Sequence, residues 1–88
     1  MGYAGAFYQE ENYSTAIEIY LQVFESSKDR KDYMLAGTAI FYAGHTYLRL
    51  ENTQEAINAI KQAISTWEIL EVKPQEIEDA NNLLESLI

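Results

Sequence analysis

Cysteine is absent from the chain, so no disulfide can brace it and no thiolate is on hand for zinc or for nucleophilic attack. A cysteine-free chain agrees with a reducing compartment, and the cytoplasm is the expected setting. Proline occurs once and glycine four times, which leaves long stretches free of helix breakers and favours helices over many short strands. Basic residues are few. Six Lys and Arg stand against 14 Asp and Glu, a formal charge of −8 that repels phosphate backbones and anionic lipid headgroups. The expected partner is therefore a protein or peptide of basic or neutral character, not nucleic acid or membrane. No run approaches the roughly 18 apolar residues of a membrane span, and MGYAGAFYQEEN at the start lacks a basic segment followed by an apolar one. Met1-Gly2 is no acylation signal either, because Ala6-Phe7 stands where a hydroxyl side chain is wanted.

Site chemistry is equally sparse. His45 is the one histidine and cannot supply a zinc set alone, so it reads as a hydrogen-bonding residue and no metal is expected. There is no glycine-rich phosphate loop, nucleophile elbow or Glu-x-x-His pair. The acidic pairs Glu10-Glu11 and Glu78-Asp79 read as solvated surface, because nothing near them in sequence would hold one carboxyl protonated. The chain is expected to be no enzyme and to carry no cofactor.

What the chain does have is apolar residues, 48% of its 88, and a repeat. A chain this size builds one domain with a modest core, so help from neighbouring repeats or a second subunit is expected. ENYSTAI at 11–17 recurs as ENTQEAI at 51–57, a step of 40 residues that keeps Glu, Asn, Ala and Ile. The same step pairs Phe7 with Tyr47, Tyr20 with Ile60 and Gln22 with Gln62, and a further step brings Leu84 under Gly44 and Leu87 under Tyr47.

Each unit reads as two helices. Ala56, Ile57, Ile60, Ala63, Ile64, Trp67 and Leu70 step by three or four, with polar residues between them. Asn52, with Glu55 three residues on, has the spacing of a capping box, and Asn12 with Thr15 is a weaker copy. The run 26–32, SSKDRKD, breaks the apolar pattern and reads as a solvated turn. Pro74 suits the first turn of a last helix. The spacing predicts an all-α chain of five helices, at about 2–10, 13–27, 31–50, 53–71 and 74–88.

Gly44, Tyr47, Leu50-Glu51-Asn52, Ala56-Ile57, Ile60 and Ala63, with Ala4, Phe7, Glu11-Asn12, Ala16-Ile17, Tyr20 and Val23 in the first unit, resemble the tetratricopeptide repeat. The resemblance covers essentially the whole chain. It departs in its step of 40 where the family has about 34, in the missing turn glycine and in the missing proline that closes a repeat. The long step looks like the branch with extended helices. The resemblance implies a solenoid of antiparallel helix hairpins in one domain over 1–88: unit one at about 1–30, unit two at about 31–71, and a final helix at about 74–88.

In that family the first helix of each pair lines a groove that binds a peptide or protein. Carried over, the groove residues are Met34, Thr38, Phe41, His45 and Leu48, with Arg49 beside them. The same spacing also fits ordinary packing on the first and fifth helices. Some members grip a partner's terminal carboxylate with Lys and Asn, but here Gly5 and His45 hold those places and that activity is not carried over. Both ends read as cut, and Leu83, Leu84, Leu87 and Ile88 give no polar cap. The expectation that follows is a homo-oligomer formed through those four residues, or a piece of a longer repeat array.

Overall fold

Apolar residues spaced by three and four, uninterrupted by proline, wind into helices that bury one stripe each. The computed structural model describes residues 12–70 and 74–88. Among them lie four helices and no strand: α1 (Tyr13–Asp29), α2 (Tyr33–Arg49), α3 (Thr53–Trp67) and α4 (Glu76–Leu87). The helix expected at about 2–10, and with it Ala4, Gly5 and Phe7, lies outside the described residues. No helix among them is long and apolar enough to cross a membrane.

The helices pack in chain order, α1 on α2, α2 on α3 and α4 on α3. Helix α2 is buried on two sides, through Ala36, Gly37, Ala39, Ile40, Ala43, Gly44 and Thr46. Tyr42 meets Tyr20 of α1 with ring centroids 5.7 Å apart. Toward α3 the contact is closer still. A methyl built on Gly37 would run into the indole of Trp67, and one on Gly44 would lie 2.9 Å from Ile60 Cγ1. Among the described residues, eight of the 14 buried hydrophobic ones are alanines, so the helices approach closely and each small side chain adds little burial of its own. Trp67, wholly buried, is the largest of the six that are not. A tryptophan buries about 150–250 Å², which corresponds to about 4–6 kcal/mol as an upper bound.

The two connections between the first three helices share one geometry. After α1, Lys31 N–H donates to Lys28 O (3.0 Å) and Asp32 N–H to Ser27 O (2.8 Å). After α2, Glu51 N–H donates to Leu48 O (3.0 Å) and Asn52 N–H to Tyr47 O (2.9 Å). Both are Schellman turns, which need a left-handed residue just past the helix end. Lys31 and Glu51 supply it, with φ of 62° and 59°. The missing turn glycine therefore does not mean a different turn; two ordinary side chains bear the strain.

The turn after α1 is shorter than the sequence suggests. With neither glycine nor proline in 26–32, α1 runs on to Asp29, and Ser27 is fully buried with its hydroxyl unpartnered. The expected solvated turn shrinks to Arg30, Lys31 and Asp32. Asn52 makes no side-chain cap, and neither does Asn12. The reciprocal half of a capping box is also closed at Asn52, because its N–H already serves Tyr47 O and leaves Glu55 no donor to reach back to. The side-chain cap at α2 is instead Asp32, whose Oδ1 accepts from Leu35 N–H at 3.3 Å. Helix α4 starts at Glu76, two residues past Pro74, and α3 ends at Trp67.

Two outcomes follow. Gly37→Ala should lose about 1–3 kcal/mol by overpacking against Trp67, even though alanine gains about 1 kcal/mol in helix propensity. Urea titration checks this; a Gly37→Ala chain as stable as the parent would mean that α2 and α3 do not meet there. Glu51→Gly should raise stability by up to about 1 kcal/mol, because glycine takes the left-handed position without strain, and thermal denaturation should show the midpoint move upward.

Candidate protein-binding face on α2

Met34, Thr38, Phe41, His45 and Leu48 advance by four and three residues, which keeps them on one side of a helix. The structure brings them into one face and differentiates them. Met34 is 37% exposed, while Thr38, Phe41, His45 and Leu48 are half-buried and Arg49 is exposed. Thr38 is occupied internally: its hydroxyl donates to Met34 O at 2.9 Å. Arg49 ends the helix, where a cation is favoured by the helix dipole.

The centre of the face is aromatic. Phe41 sits edge-on to Trp67 at 5.5 Å and edge-on to His45 at 4.7 Å. Such contacts fix a ring at about 0.5–1.5 kcal/mol each beyond plain burial. Trp67 is held in turn, since its Nε1–H donates to Met34 O at 3.3 Å and satisfies a buried donor that would otherwise cost about 1–3 kcal/mol. The order of support runs from α3 upward: Gly37 admits the indole, the indole seats Phe41, and Phe41 seats the imidazole. Burial, and after it the Arg49 guanidinium, holds the His45 pKa below its ordinary 6.5. The imidazole is therefore neutral at pH 7, with one nitrogen free to accept.

Sequence spacing found this face but missed Trp67 beneath it. The available signal was Gly37, a glycine inside an otherwise unbroken helix, which marks a close approach. The four residues expected to mediate self-association are spread more unevenly. Leu83, Leu84 and Leu87 are partly buried against the core, beside fully buried Ala80, whereas Ile88 is 83% exposed.

Because the folded pKa of His45 lies below that of the unfolded chain, the unfolded chain takes up the proton first as pH falls. The stability His45 contributes is complete above 6.5 and is lost as pH falls through that value toward the folded pKa. Melting temperatures between about pH 7.5 and about pH 5.5, above the carboxylate range, should fall for the parent chain and fall less for His45→Gln. Identical slopes would show that the imidazole protonates as easily folded as unfolded.

No family model matches the chain, no curated protein matches it, and no solved structure matches it.

Proposed function

We propose that the chain is a tetratricopeptide-like interaction module that holds a peptide segment of another protein on the Met34, Phe41, His45 and Leu48 face of α2. The observation that carries this reading is Phe41, a half-buried ring braced by Trp67 and His45. An aromatic ring fixed before binding has little rotamer freedom left to lose, and such rings dominate interface energetics. Next to it, the neutral imidazole offers an acceptor and a donor to a backbone amide, while Met34 and Leu48 extend the apolar strip. A peptide is a better fit to this strip than a small molecule, since the four residues run lengthwise along the helix. The formal charge of −8 points to a neutral or basic segment and away from nucleic acid. We place the module in the cytoplasm on its cysteine-free composition, and read it as a holder without catalytic chemistry.

Self-association, or membership of a longer repeat scaffold, is the second reading. Ile88 and Ile69, 83% and 59% exposed, favour it. Sedimentation over a range of concentrations separates the two, because a dimer that weakens in Ile88→Glu would make the end of α4 the interface.

The peptide reading is tested by selecting binders from a displayed peptide library against the parent chain and measuring them on Phe41→Ala and Leu48→Ala. Affinity should fall about tenfold for Phe41→Ala, the loss expected when a central anchor is truncated, with helicity by circular dichroism retained. Peptides that bind both variants as well as the parent would remove the α2 face from the function. Loss of helicity in both would return these residues to the core.

A further inference from the structure

On a different side of α2 from Phe41, a groove runs between α1 and α3 over the middle of α2. Its floor is apolar and aromatic, formed by Phe24, Ile40 and Tyr47, and its volume is about 120 Å³. That is below the ~300–1,000 Å³ of pockets that take a drug-sized ligand, and it suits a single side chain. Beside the apolar Leu21 and Ala59, the lining carries four acceptor-bearing groups: Glu25 on α1, and Glu55, Asn58 and Gln62 on α3, the last three spaced three and four residues apart on one helix face.

The chain itself shows which chemistry this lining takes. At the α1 edge, Lys28 Nζ lies 4.9 Å from the Phe24 ring centroid and 3.8 Å from Glu25 Oε2, a cation held by an aromatic face and a carboxylate together. Where α2 meets α3 the groove offers the same two pieces, the Tyr47 ring of α2 and the Glu55 carboxylate of α3, and Glu55 has no ion-pair partner among the described residues.

We infer that the α3 half of this groove binds an arginine side chain of a protein partner. A guanidinium is planar and stacks on Tyr47, and its five N–H donors in a fixed fork match acceptors on Glu55 and Gln62, and on Asn58, whose Oδ1 also accepts from Gln54 Nε2 at 3.4 Å. A lysine presents one strongly hydrated point and leaves most of that row unused. The surplus of 14 acidic over six basic residues draws such a partner in. This site is independent of the Phe41 face: either can fail alone.

The test is a titration of the ¹⁵N-labelled chain with N-acetyl-arginine methylamide, followed by amide chemical shifts. Saturable shifts at Tyr47, Asn58 and Gln62 are expected, with the neutral isostere N-acetyl-citrulline methylamide leaving them in place. Glu55→Gln should weaken binding about two- to fivefold, the range a solvent-exposed ion pair supports. Glu85→Gln, the same charge change on α4, should leave it unaltered, as should Phe41→Ala. The inference is overturned if no shifts appear, if citrulline produces the same ones, or if Glu85→Gln weakens binding as much as Glu55→Gln, since the last two outcomes describe an attraction without a site.

Discussion

The contact between Gly37 and Trp67 is the constraint on which the rest of the structure depends. An indole laid against a helix backbone needs a residue with no side chain beneath it, and α2 provides one where α3 ends. From that contact α3 gains its largest buried residue, and α2 gains a hydrogen-bond donor aimed at the Met34 carbonyl. The Phe41 ring is then seated on a surface that cannot yield, because interiors of native density transmit displacement and do not absorb it. The candidate binding face is thus the outer layer of a packing arrangement whose inner layer is glycine and tryptophan.

Alanine fills most of what remains. A core with Ala36, Ala39, Ala43, Ala56, Ala59 and Ala63 at its centre lets three helices lie close with both sides of α2 in use. Helix α4 differs because Leu83 and Leu84 stand where α2 has Ala43 and Gly44, so its approach to a neighbour is set by bulk. It buries only Ala80 completely. The same chain thus contains a tightly approached pair and a more loosely covered end helix, and the difference is carried by two positions.

Much of this was legible in the sequence, for identifiable reasons. Gly44, Ala56 and Ile60 are among the residues that carry the family resemblance, and the structure places all three at the α2–α3 contact. Periodicity located the described helices to within a few residues, because apolar spacing is a local property. What it could not show was long-range. Trp67 reads as one more apolar residue in the α3 stripe, and only the fold reveals that its partner is Gly37, thirty residues earlier in the chain. The Glu55 half of the capping box at Asn52 was closed for a similar reason: the Asn52 N–H was already committed to Tyr47 O across the turn. Within the candidate site, the adjacency of Phe41 and His45 follows from their spacing of four, whereas the bracing of Phe41 from below does not.

Trp67 is also the only tryptophan of the chain. Because it is wholly buried against Gly37 and Phe41 of α2, its ultraviolet emission reports on its surroundings at the contact between α2 and α3. Phe41 touches the indole on one side and faces the candidate ligand on the other. Occupation of that face can therefore be followed optically, with no label attached, from the change in the surroundings of a residue the ligand never meets.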